Sequence, residues 1–283
     1  MPRTAVRPTA RRAPVLAAAL LALPLASAAA QGDDFRWSGR LAAGKTIEIR
    51  NINGDVRAEP ASGGEVEVLA VKTEGRRGDA EDVKIEVVQH DDGVTICAVY
   101  PSSRGRRTNT CEAGGGHQSV DNNDTEVAFT VRVPSNVRLS ANSVNGSVRA
   151  ENMAADVDAN TVNGAVSVTS RGLVEASSVN GDVDVRMGRA DWTGALKLST
   201  VNGGLSVTLP ASAAAEVRAS SVNGDMDSDF PMTVKGKWGP RRMTGTIGNG
   251  GGRSLVLETV NGTIELRPAA FARTAFTRAC RPP

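Results

Sequence analysis

Three sets of side chains in this 283-residue chain are of types that could do chemistry. They are the cysteines Cys97, Cys111 and Cys280, the histidines His90 and His117, and the spaced acids Asp182, Asp184, Asp225 and Asp227. His90 precedes Asp91-Asp92 and His117 follows a glycine run, so neither has the paired spacing of a zinc site. There is no Gly-x-Ser-x-Gly elbow and no Cys/His nucleophile pairing, which leaves acyl transfer and metal-assisted hydrolysis without a carrier. The acids would suit a β-helix polysaccharide lyase or glycosidase, which gathers carboxylates on one face as acid and base or as calcium ligands. Gly204 and Ser206 occupy the equivalent positions between them, so the acids are expected two repeats apart with no general base in the gap. Asp121-Asn122-Asn123-Asp124 could bind calcium weakly, but lacks the glycine and distal glutamate of an EF-hand loop. The expectation is therefore a chain with no catalytic residue, no cofactor and no metal site.

The cysteines read structurally. Cys97 and Cys111 flank a polar loop rich in Arg, Ser and Thr, and an oxidising compartment would join them. Closing a loop of that size adds on the order of 3 kcal/mol in the chain-entropy account. Cys280 lies in a basic, proline-ended tail with no evident partner.

That compartment is set by the first thirty residues. Arg3, Arg7, Arg11 and Arg12 form a positive start, Ala13 to Ala26 an apolar run, and Ala28-Ala29-Ala30 a small-residue cleavage site before Gln31. The run is shorter than the about 20 residues a membrane span needs. A cleaved signal peptide at 1–30 and a periplasmic or secreted product follow, with no transmembrane segment in the mature chain. Removing four arginines and no acid takes the formal charge from +2 to −2, which argues against a nucleic-acid partner.

The elements that must position everything else are repeats. Val-Asn-Gly recurs with its turn residues at Asn145-Gly146, Asn163-Gly164, Asn180-Gly181, Asn202-Gly203, Asn223-Gly224 and Asn261-Gly262, with a looser Ile-Asn-Gly copy at Asn53-Gly54. Successive asparagines from Asn145 are 18, 17, 22, 21 and 38 residues apart. Each copy sits between alternating apolar runs, such as Leu196, Leu198, Thr200 before it and Leu205, Val207, Leu209 after it. The inward parity switches across Asn-Gly, so the pair is a turn or a corner. A type I′ hairpin fits the dipeptide, but sets Arg50 opposite Arg57 and Glu258 opposite Glu265. A stacked coil gives every repeated residue a cause, with each Val pointing into the core and the Asn side chains bonding up the stack.

The fold class expected is therefore all-β: a single-chain β-solenoid, or β-helix, of Val-Asn-Gly repeats over 135–267, preceded by a more irregular β-rich portion over 31–134. A basic tail at 268–283 follows. Aromatics make up only 3% of the chain, so small and β-branched side chains must fill a narrow core.

The repeats, with Phe230-Pro231-Met232-Thr233-Val234 and the stretch Thr244 to Gly252, resemble the bacterial exported β-strand-repeat family labelled "putative adhesin". The resemblance spans Lys45 to Arg267 and implies a β-helical fold, export or membrane tethering, and no established enzymatic activity. The function expected is an exported, non-catalytic scaffold that binds a cell-envelope protein or polysaccharide. An envelope-stress regulatory module and the polysaccharide-active enzyme are the alternatives.

Overall fold

The computed structural model describes residues 34–102, 107–236 and 240–269. The signal peptide read at 1–30, Cys280, and all but the first two residues of the tail read at 268–283 lie outside them.

Alternating apolar residues punctuated by Gly, Asn and Asp produce short strands. The N-terminal portion holds β1 (Asp34–Gly39), β2 (Thr46–Arg50), β3 (Val56–Pro60), β4 (Val66–Thr73), β5 (Lys84–His90), β6 (Gly93–Val99) and β7 (Glu126–Val133). The regular repeats hold β8 (Arg138–Asn142), β9 (Val148–Met153), β10 (Val157–Asn160), β11 (Val166–Ser170), β12 (Val174–Ser177), β13 (Val183–Met187), β14 (Ala195–Ser199) and β15 (Leu205–Leu209). The last part holds β16 (Ala215–Asn223), β17 (Met226–Ser228), β18 (Thr233–Lys235), β19 (Arg241–Ile247), β20 (Ser254–Asn261) and β21 (Ile264–Pro268). Among the described residues the helical content is one 3-10 turn, Ala80–Asp82.

Each repeat gives one strand to each of two sheets. β8, β10, β12 and β14 pair in parallel in one, while β9, β11, β13 and β15 pair in parallel in the other. The chain thus winds a flattened β-solenoid, entering a corner at Asn-Gly and returning through the opposite edge. Between the sheets, inward residues stack in register: Leu139, Val157 and Val174 form one column, and Val148, Val166, Val183 and Leu205 face it. One level departs from the pattern. Asn152, at φ 54, is an extra residue in β9, and the bulge turns Met153 inward to sit beside Ser170.

The stack does not follow chain order at either end. The sheets run β6-β2-β8 and β7-β3-β9 at one end, and β14-β20-β16 and β15-β21-β17 at the other. The first and last coils of the repeat, β2–β3 and β20–β21, are therefore both inserted one level in from the end. Each is hydrogen-bonded on both sides, so neither terminal coil is left as a fraying edge. Antiparallel strands cover most of the exposed ends: β5 on β6, β4 and β1 on β7, and β19 and β18 on β16. The 38-residue gap before Asn261 is thus one level plus a cap.

The expectation that each repeat Val enters the core is corrected. Val144, Val162, Val179, Val201, Val222 and Val260 form an outward row, Val201 being 38% exposed, whereas Thr200 beside it is 3% exposed. The inward residue is the hydroxyl-bearing one before Val: Ser143, Thr161, Ser178, Thr200, Ser221 and Thr259 are all buried.

Candidate functional site

The corner is built from a tetrapeptide, Ser/Thr-Val-Asn-Gly, and each residue has its own partner. The Gly181 N–H donates to the Asn202 carbonyl of the next level at 2.9 Å, and the same bond recurs from Gly54 to Asn145 and on through Gly262 to Asn223. This geometry leaves the glycine carbonyl facing the next coil without a strand partner. Thr200 Oγ1 donates to Gly181 O at 2.8 Å, as Thr161 does to Gly146, Ser178 to Gly164, Thr259 to Gly203 and Ser221 to Gly262. A buried acceptor left unpaired is costly, so a hydroxyl outcompetes an apolar side chain at the inward position.

Glycine is required by close approach rather than by backbone twist. A Cβ on Gly181 would run into the Gly164 carbonyl, and one on Gly203 into that of Gly181. Of the seven corner glycines only Gly54 has a positive φ, so the corner is not a hairpin turn. The asparagine side chains meet across levels: Asn145 Nδ2 donates to Asn53 Oδ1 at 2.8 Å, Asn163 to Asn145, Asn180 to Asn163, Asn202 to Asn180, Asn261 to Asn202 and Asn223 to Asn261. Each donor points toward the N-terminal end, where the Tyr100 hydroxyl lies 3.4 Å from the Asn53 carbonyl.

A second structured region lies on the outer face of the β8-containing sheet. Cys97 and Cys111 form a disulfide with Cα atoms 5.8 Å apart, and Val88 and Val99 pack around it. This ties a loop to the outside of β6 and carries Gly114 over β2, where its N–H donates to Glu48 Oε2 at 3.1 Å. Glu48 also accepts from Thr95 Oγ1 at 2.7 Å and pairs with Arg50 at 3.3 Å, so this largely buried carboxylate is fully engaged. His90 Nε2 lies 3.1 Å from Thr95 Oγ1. Beneath the loop runs a groove of about 510 Å³ lined by Glu48, Arg50, His90, Asp92, Asn142 and Asp158, among others. Asp158 remains accessible, yet partial loss of hydration in the groove raises its pKa, and the charge of Glu48 adds to this. The bond it accepts from Asn160 at 2.8 Å opposes the shift.

Residues 39–267 match the Toastrack family, DUF4097. The chain belongs to that family. No curated protein sequence matches it. Two solved structures are similar over most of the chain. A "putative cell adhesion protein" from Clostridium sporogenes is 11% identical, with a TM-score of 0.39 over 83% of this chain and 99% of that one. A "putative adhesin" from Bacteroides fragilis is 12% identical, with a TM-score of 0.36 over 82% and 96%.

Within this Toastrack solenoid the acids singled out in the sequence stand apart. In the register Asp184, Ser206, Glu265, Asp227, the inserted β21 adds a level, so the two acid pairs are three levels apart instead of the expected two. Asp182 Oδ1 accepts the Gly204 N–H at 2.7 Å, which makes it part of the corner. Asp225 pairs with Arg241, and Arg267 holds Asp227 at 2.6 Å and Asp229 at 2.7 Å. That contact with Arg267 keeps the Asp227 carboxyl below its ordinary pKa. In the 121–124 cluster, Asp124 Oδ1 accepts the Arg77 N–H at 2.8 Å and Asn123 Nδ2 donates to Asp79 O at 3.0 Å, which pins a neighbouring loop. Among the described residues, no group of three or more His, Cys, Asp or Glu side chains is placed to hold a metal ion, and no helix is long and apolar enough to cross a membrane.

The groove is the feature that sequence reading missed. Its residues come from β2, β8, β10, the end of β5 with the turn into β6, and the tethered loop, and β2 meets β8 only because it is inserted beside it. The disulfide spacing was the one available sign that something overhung β6.

Proposed function

We propose that the protein is an exported, non-catalytic scaffold whose outer faces bind a cell-envelope protein or polysaccharide. The observation that carries this reading is the regular outward register of the parallel stack. In one sheet it runs Arg57, Arg149, Ser167, Asp184, Ser206, Glu265, Asp227, basic at one end and acidic at the other with Ser167, Asp184 and Ser206 between. A rigid face of this kind offers a ligand many weak, spaced contacts rather than one deep pocket. The cysteine pair supports export, because disulfides persist in oxidising compartments. The polysaccharide-active enzyme would require a free pair of carboxylates. Asp158 has the raised pKa such a role favours, but Glu48 beside it has both oxygens committed.

The test is binding of the purified protein to envelope polysaccharide and to envelope protein extracts, with turnover followed in parallel. Asp184→Ala should weaken binding by less than about tenfold, whereas removal of residues 164–180, one whole level, should abolish it while the shortened stack still folds. Release of sugar ends that is lost in Asp158→Asn would overturn the non-catalytic reading.

A further inference from the structure

The seven Asn-Gly pairs at the corners share one sequence but not one environment. At the six levels from Asn53 to Asn261, two restraints act together. The glycine N–H donates to the carbonyl of the next asparagine, and the asparagine Oδ1 accepts the next asparagine's Nδ2. The seventh level, Asn223-Gly224, ends the stack. Asn223 Nδ2 donates to Asn261 Oδ1 at 2.9 Å, but neither its own Oδ1 nor the Gly224 N–H has a partner among the described residues. Asn223 is also exposed, at the junction between the end of β16 and the three-residue edge strand β17.

These are the atoms that react when an Asn-Gly pair deamidates. The Gly nitrogen, on losing its proton to hydroxide, attacks the Asn side-chain carbon. The new C–N bond closes a five-membered succinimide, and the side-chain nitrogen leaves as ammonia. Water then opens the ring at either carbonyl, leaving an aspartyl or an isoaspartyl residue, with no change of oxidation state. The glycine N–H must be free and the side chain able to turn toward it. An inner level such as Asn163-Gly164 must first break three hydrogen bonds, one at the glycine N–H and two at the asparagine amide, whereas the last level breaks only the one from Asn223 Nδ2 to Asn261.

We propose that Asn223 is a site of spontaneous deamidation selected by its place at the open end of the asparagine ladder, while the ladder protects the six other corner pairs. Asn249-Gly250 lies in a turn outside the ladder, with Asn249 exposed, and is not protected by it. The product carries a new carboxylate beside Asp225, Asp227 and Asp229 and can no longer donate to Asn261. The isoaspartyl form also adds a backbone methylene at the corner into β17. The modification therefore loosens this end of the solenoid and leaves the Tyr100 end intact.

The experiment is ageing of the purified protein at neutral pH, in native buffer and in denaturant. Peptide mapping for the amide-to-acid mass change would be combined with isoaspartyl-specific methyl labelling. In native buffer, Asn223 should convert at least about tenfold faster than Asn145, Asn163, Asn180 and Asn202. In denaturant all should convert at similar rates, since Val precedes and Gly follows each of them. Native conversion of Asn223 no faster than that of Asn163 would overturn the proposal, and so would the same Asn223 preference in denaturant.

Discussion

The two edges of the coil obey opposite rules. At the Asn-Gly edge every level superposes: the last inward strand residue stands four places before Asn, at Ala141, Ala159, Ala176 and Leu198, and the next core residue three places after it, at Val148, Val166, Val183 and Leu205. At the opposite edge the connections range from three residues at 154–156 and 171–173 to seven at 188–194. The uneven repeat spacing arises there and at the Asn152 bulge. The difference lies in what packs. At the corner, backbone rests on backbone, glycine over glycine carbonyl, and there is no room for a Cβ or an extra residue. At the far edge side chains fill the space. Trp192 is buried and donates from Nε1 to Ser254 O at 3.1 Å, and Ser170 Oγ bonds Ala155 O at 2.6 Å, so length can vary while the filler changes.

The largest effect should come from placing a methyl group on the corner. Gly181→Ala drives a Cβ into the Gly164 carbonyl and should cost about 3 kcal/mol or more in urea unfolding. Thr200→Val keeps shape but removes the donor to Gly181 O, and an expected loss of about 1–3 kcal/mol would show that the hydroxyl, rather than inward volume, is what the position selects. The smallest effect is expected at the other edge. Two residues inserted between Arg189 and Ala190 should lower stability by less than about 1 kcal/mol, because lengthening an existing loop adds little closure entropy. A loop insertion as damaging as Gly181→Ala would erase the distinction between the edges.

Much of this was legible in the sequence. The Asn-Gly period marked the corners, and alternation placed Val174, Ala176, Val183, Val185, Leu205 and Val207 inside, where they are found. Alternation also put Ser178 and Thr200 on the inward set. Reading the next residue, Val, as inward too gave apolarity more weight than parity, since the demand for a hydroxyl comes from a glycine carbonyl on another level. Stack order was not legible. Every level presents the same corner, so Asn261 fits equally well above Asn202 or beyond Asn223, and only the cap formed by β18 and β19 decides that β20–β21 returns between them. Asn53 stacks on Asn145 from 92 residues away for the same reason. The groove under the disulfide-tied loop depends on that order and was hidden with it.

The most direct test of the corner places an aspartate at each of two adjacent positions and compares the unfolding midpoints of the two variants. Thr200→Asp puts a charge in the buried layer against the Gly181 carbonyl and should cost about 3 kcal/mol or more. Val201→Asp changes a residue on the outward row and should cost about 1 kcal/mol or less. A Val201→Asp loss equal to or greater than that of Thr200→Asp would contradict the account of how the corner is built.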